Sequence, residues 1–264
     1  MHLIIWLISL FIAASVQEQW KQVAPGLEHR VLSVKLEEYS YRIEINAIRI
    51  DPDKWDFVFR GISQEIEAES KTPKEWCEKY NLTAAINAGM YNGDYRTHTG
   101  YLRDGAHVNS RGRNSYKSLL AFNPKPNKSV PPVKIFDIDQ PGVTIDSVLK
   151  DYGTVIQNLR LIRRPGINVW GQQQNIWTEA ALAEDRQGRI IFLYSSTPVS
   201  MHDFSKILLS SDLAVVATQH LDGNAPAQLY LKTGKTELIL SEEPGLELPL
   251  PNIIGIRLRQ ARSN

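Results

Sequence analysis

Apolar and polar positions alternate through Tyr39, Tyr41, Ile43, Ile45 and Ala47, and again through Trp55, Phe57 and Phe59 after the turn Asp51-Pro52-Asp53. A period of two marks strands buried on one face. Thr72-Pro73-Lys74-Glu75 has the order of a helix start: Thr as N-cap, Pro at the first helical position, Glu completing a capping box. It predicts a helix to about Tyr80, followed by a buried strand over 83–86 that ends in Asn87-Ala88-Gly89. Further strands are predicted at 118–122 and 133–137, and a hairpin at 178–183 and 189–194 closes around Asp185-Arg186-Gln187-Gly188. Ser200 and Asp203 open a helix that carries Met201, Phe204, Ile207 and Leu208 on one face. A strand over 214–221, a hairpin at Thr233-Gly234 and a last strand near 253–258 complete the pattern. Strands outnumber helices and do not alternate with them. The expectation is α+β: one domain of mixed, largely antiparallel sheets flanked by a few helices.

Two segments depart from this pattern. Residues 3–16 form an apolar run too short for a comfortable bilayer span, with Ala13 and Ser15 at the spacing a signal peptidase reads. A signal peptide over 1–15 is expected, leaving a domain over 16–264 in the periplasm or secreted; an uncleaved anchor is the alternative. Residues 92–114 are rich in Gly, Asn, Arg and His with little periodicity, and so long an irregular stretch in a compact domain points to function.

Composition narrows the chemistry. Among 264 residues, 30 Lys and Arg balance 29 Asp and Glu, and 42% are hydrophobic. A disordered chain is excluded, and the net charge of +1 offers no basic face for nucleic acid. The single cysteine, Cys77, cannot build a disulfide framework and reads as a packed residue. No HExxH, Cys pair or EF-hand loop is present, so neither metal nor cofactor is expected; P-loop, GxGxxG and GxSxG patterns are also missing.

Two strand ends carry the candidate chemistry: 86–92, where an apolar strand runs into small turn-forming residues, and 219–224, where another delivers Asp222-Gly223-Asn224. Polar side chains at the rim of a sheet are fixed by the scaffold and open to solvent. As plain turn signals, Asn-x-Gly and Asp-Gly also have an ordinary structural reading.

These residues carry a resemblance. Ala85-Ile86-Asn87-Ala88-Gly89-Met90-Tyr91, Thr99-Gly100-Tyr101 and Asp104-Gly105 resemble the first signature of the phosphodiester glycosidase family, which includes secreted bacterial, exopolysaccharide-associated members. Gly188-Arg189-Ile190-Ile191-Phe192, the helix from Ser200, His220-Leu221-Asp222-Gly223 and the strand from Pro251 are similar to its later strand, helix, acidic turn and final strand, in order over roughly 35–258. Two departures stand out. Asn224, Ala225 and Pro226 follow the acidic turn where members commonly have glycines and a Ser, and Trp177-Thr178-Glu179 stands where an Arg-Thr pair is usual.

The resemblance implies cleavage between a sugar's anomeric carbon and a phosphodiester oxygen, on an envelope or exopolysaccharide glycan. An oxocarbenium-like transition state needs a carboxylate near that carbon, and the weakly basic leaving group lowers the demand for a general acid. Asp222 is the first candidate and Glu179 the second, with His98 as phosphate donor or proton shuttle. Asn87, Tyr91, Thr99, Gly100, Tyr101, Gly223, Asn224, Arg111 and Arg113 are candidates for binding the carbohydrate or sugar-phosphodiester, the arginines because their forks suit phosphate. His220 is assigned to packing, its side chain facing away from that of Asp222. The reading requires Asp222, Asn87 and the 92–114 segment to share a cleft. A non-catalytic carbohydrate-binding or assembly protein is the rival reading, and cleavage of an ordinary glycosidic bond a third.

Overall fold

The alternating segments pair into two sheets packed face to face in the computed structural model, which describes residues 19–234 and 236–260. The expected signal segment lies outside the described residues. The five-stranded sheet runs in the order Thr236–Leu240, Leu229–Thr233, Ala84–Asn87, Asn252–Leu258, Trp55–Gly61. The path of the twelve-stranded sheet is Lys21–Ala24, Leu27–Val34, Ile43–Ile50, Ile190–Val199, Trp177–Asp185, Val215–Gly223, Tyr152–Arg163, Leu102–Asp104, His107–Ser110. Ser118–Pro124 also pairs with Tyr152–Arg163, and Val133–Asp137 with Ser118–Pro124.

Every pairing between the described strands is antiparallel, which corrects the expectation of mixed sheets. A parallel pair needs a crossover, usually helical. Among the described residues only Pro73–Tyr80, Ile145–Val148 and Met201–Ser210 are α-helical, so the fold is richer in strand than expected.

The core has three layers. Between the sheets lie Phe57, Phe59, Ile86, Phe122, Leu182, Phe192 and Ile254. Each such side chain contributes about 1.5–3 kcal/mol by leaving water. On the far face of the large sheet, Phe204 and Ile207 of the Met201–Ser210 helix cover Ala181 and Leu193. On the far face of the small sheet, Trp76 and Cys77 cover Ala85, Tyr230 and Ile253, and burial pushes the Cys77 thiol up, as befits a packed residue.

Both helix starts form as read. Thr72 accepts from the Glu75 N–H while the Glu75 carboxylate accepts from the Thr72 N–H, and Ser200 accepts from the Asp203 N–H. Two readings of periodicity change. The strand begins at Ile43, because the buried Tyr39 instead donates its hydroxyl to Asp203 at 2.9 Å in the first turn of the Met201–Ser210 helix. The twelve-residue strand Tyr152–Arg163 went unread because Gly153, Gln157 and Asn158 interrupt its apolar pattern. The 92–114 segment is likewise less irregular than expected: Leu102–Asp104 and His107–Ser110 form a hairpin within it.

Candidate active site

The site is set by a β-bulge. In the pairing of Trp177–Asp185 with Val215–Gly223, Ala180 stands opposite Asp222 and Ala181 opposite His220, so Leu221 is an extra residue. An extra residue reverses which face the following side chains take. His220 therefore shares the helix-covered face with Ala181, while Asp222 shares the inter-sheet face with Ala180 and Tyr194.

Asp222 is half-buried at the end of this interlayer. Burial, and to a lesser degree the Glu179 carboxylate, push its carboxyl up to about 6, against the pull of the Gly223 N–H (2.9 Å) and of His220. Its neighbour across the gap is Tyr91: burial first, and then the Asp222 charge, push that phenol up to about 12. Asp222 thus adjoins the chain entering the 92–114 segment.

Beside Tyr91 the backbone is held by a close approach. Gly89 has φ +137°, and a Cβ there would fall 2.2 Å from Asn158 Oδ1 and 2.6 Å from His98 Cε1, so this position requires glycine. Asn158 donates to the Ala88 carbonyl at 3.0 Å, fastening the end of the small sheet to the large one. Asn158 stands opposite Ser118 and two residues from Ile156, which puts both polar side chains on the inter-sheet face; Asn252 shares that face with Ile254.

This end of the interlayer holds buried polar atoms that have no hydrogen-bond partner among the described residues: Asn158 Oδ1, Ser118 Oγ, His98 Nδ1, both polar ends of Asn252 and the Tyr194 hydroxyl. Each such atom costs about 1–3 kcal/mol unless something satisfies it. The cluster is a buried polar patch in an otherwise apolar layer.

The remaining candidates are distributed as follows. His98 is fully buried; burial drives its ring down to about 4, against the Gln157 carbonyl bound to Nε2 at 2.8 Å. A carbonyl can only accept, so Nε2 carries the proton and Nδ1 is an acceptor. In this state the free nitrogen of the His98 ring is an acceptor and its N–H is held by the Gln157 carbonyl. Asn87 is buried, opposite Ile253 and on the face of Ala85, toward the helix Pro73–Tyr80 and away from Asp222, so it does not share a cleft with Asp222 as the sequence reading required.

Thr99 bonds the Met90 carbonyl, Gly100 lies against the Gln157 backbone, and Tyr101 packs with Leu119 and Val155 on the outer face. Arg113 is exposed and forked onto Asp146 at 2.7 and 3.0 Å, and Arg111 is exposed. Asn224, also exposed, donates its N–H to the Thr178 carbonyl.

Glu179 is 1% exposed, and both its oxygens are occupied: Oε1 by His220 Nδ1 at 2.5 Å, Oε2 by Trp177 Nε1 at 2.7 Å. Trp177 also lies over Gly223, where a Cβ would meet its ring at 2.4 Å. Burial disfavours a charged His220, but the Glu179 carboxylate outweighs it and the imidazole is raised above its ordinary value. His220 therefore belongs to a carboxylate network and not to apolar packing. A cleft of about 1140 Å³ lies at the other end of the Ala84–Asn87 strand, between Trp55, Tyr80, Asn123, Lys128 and Arg257, and contains none of these side chains.

The order of these motifs has a counterpart among known proteins. Residues 80–257, two thirds of the chain, match the model of the phosphodiester glycosidase domain. The chain belongs to the phosphodiester glycosidase family. The match begins later than the 35–258 read from motifs, yet structural likeness extends over 89% of the chain. The fold is similar to the catalytic domain of zebrafish N-acetylglucosamine-1-phosphodiester alpha-N-acetylglucosaminidase, solved in a form auto-inhibited by pro-peptide (TM-score 0.65, 12% identity, 85% of that chain covered). It is also similar to a hypothetical protein from Synechocystis (TM-score 0.58, 16% identity, 89% of this chain and 62% of that one). At these identities the likeness is one of fold. No curated protein sequence matches the chain. Sequence reading missed His220, Asn158, Asn252 and Tyr194 as members of this candidate site.

Proposed function

We propose that this protein hydrolyses the bond between the anomeric carbon of a sugar and a phosphodiester oxygen, acting on an envelope or exopolysaccharide glycan outside the cytoplasm. The observation that carries this reading is Asp222: a half-buried carboxyl with its midpoint pushed up to about 6, on the inter-sheet face beside a patch of buried, unpartnered polar groups. Family membership supplies the reaction class, and the apolar segment 3–16 supports export.

The chemistry follows from the charges. Breaking the C1–O bond releases a phosphate monoester, a weak base that leaves without a strong general acid. Positive charge develops on the ring, and the Asp222 carboxylate stabilises it electrostatically or by covalent capture. Water then supplies the new C1–O bond and loses a proton, giving free sugar. Asn158, Asn252 and the Tyr194 hydroxyl offer the donors and acceptors that sugar hydroxyls require.

The test is release of reducing sugar from a panel of α- and β-linked sugar-1-phosphodiesters. Release from one anomer is expected. Glycan binding without release from any panel member would contradict the proposal and favour a carbohydrate-binding protein on this scaffold.

A further inference from the structure

Glu179 and His220 form a buried pair that a sandwich core does not need, on the opposite face of the bulged strand from Asp222. Breaking a buried pair by removing one partner is costly, and replacing the whole pair by apolar residues is often neutral, so stability alone does not account for it. Its geometry is fully determined. Trp177 and His220 each hold one Glu179 oxygen, which fixes the orientation of that carboxylate. Trp177 closes over Gly223, the residue after Asp222, and the Gly223 N–H binds the Asp222 carboxylate. The same unit thus touches both ends of the bulge that aims Asp222.

We propose that Glu179 and His220 are the positioning pair of Asp222: the glutamate anchors the imidazolium, and the imidazolium sets a positive charge beside the reacting carboxyl. Neither residue touches substrate. Glu179, expected as a second carboxylate at the anomeric carbon, acts through His220. The charged and titratable groups facing this unit are few. Glu179 comes from its own strand, His220 and Asp222 from the next, and Tyr91 from the segment entering the 92–114 loop. Glu242, which accepts from Thr178 at 3.1 Å and reaches Tyr194, comes from beyond the Thr236–Leu240 strand.

The inference rests on Asp222 as the reacting group, but its test needs no substrate. The Asp222 carboxyl is titrated by ¹³C NMR in the full protein, in His220→Gln, and in the double variant Glu179→Gln/His220→Gln. Losing the positive charge beside Asp222 should raise its midpoint by about one unit in the single variant. It should return toward the wild-type value when Glu179 is also neutralised. Unchanged midpoints in both variants would overturn the proposal. Should His220→Gln fail to fold, ¹⁵N shifts of the wild-type His220 ring decide the matter. An imidazolium at pH 7 is expected, and a neutral ring at that pH would overturn the pairing. Coupling observed by NMR together with no sugar release would leave the pair intact and reject the glycosidase reading alone.

Discussion

At the scale of single residues, one inserted position decides the site. Leu221 turns Asp222 toward the interlayer and leaves His220 on the helix side; the sequence reading expected opposite faces, but residues two apart share a face in a regular strand and only the bulge separates them. Asp222, Tyr91 and Gly89 were legible because the motif quotes them; Asn158 and Asn252 were not, because a polar residue inside a strand signals nothing until its face is known. Asn87 shows the converse, a motif residue whose register turns it to the outer face.

The raised midpoint of Asp222 has a consequence for stability. Its folded-state value of about 6 exceeds the ordinary 3.8, so the folded protein holds this proton more tightly than the unfolded chain. Ionisation costs nothing below about pH 3.8, and the cost grows between the two values and is complete above about 6. Asp222→Asn is therefore expected to stabilise the protein by about 1–3 kcal/mol at pH 8 and to change little at pH 3.5. Urea denaturation at both values checks this; a variant less stable than wild type at pH 8 would show that the carboxylate is not strained by its surroundings.

At the scale of elements, the helix starts and hairpins were readable because their signals are local. Thr72 and Ser200 cap as their sequences dictate, and the Asp185–Gly188 turn closes the strands on either side. The Tyr152–Arg163 strand, which holds Asn158, was hidden because its identity depends on partners on both edges. One element contact titrates. Glu65 is half-buried, and desolvation alone would raise its carboxyl, but bonds from Tyr80 (2.5 Å) and from Lys71 and Lys79 (both 2.9 Å) hold it down at about 2. It ties the segment after Trp55–Gly61 to the end of the Pro73–Tyr80 helix. Glu65→Gln is expected to lower stability by about 1–2 kcal/mol above pH 4.5. The difference should close as pH falls toward 2, where the wild-type carboxylate is itself protonated. Thermal melts at pH 7 and pH 2.5 compare the two proteins; an equal deficit at both would place the effect in packing and not in charge.

At the scale of the whole molecule, two antiparallel sheets bury one apolar layer and leave its end polar. Phe57, Phe122 and Phe192 fill the layer's middle, with rings 6.1 Å apart, while Asp222, Asn158, Ser118 and Asn252 occupy the end where the small sheet is fastened to the large one. The architecture was legible in outline, since strand count and hairpin spacing are local properties. The sheet order was not, because it is fixed by contacts between segments far apart in the chain. A packed layer that is polar at one end is a fitting place for a carboxylate whose ionisation must be tuned.

The most direct test of this account is the pH dependence of sugar release, measured on whichever sugar-1-phosphodiester the wild-type protein cleaves, beside Asp222→Asn. The rate should climb as pH rises through about 6, where Asp222 loses its proton. It should fall by on the order of 10³ or more in the folded Asp222→Asn variant. Undiminished release by that variant, with the same pH profile, would contradict the assignment of Asp222 as the reacting group.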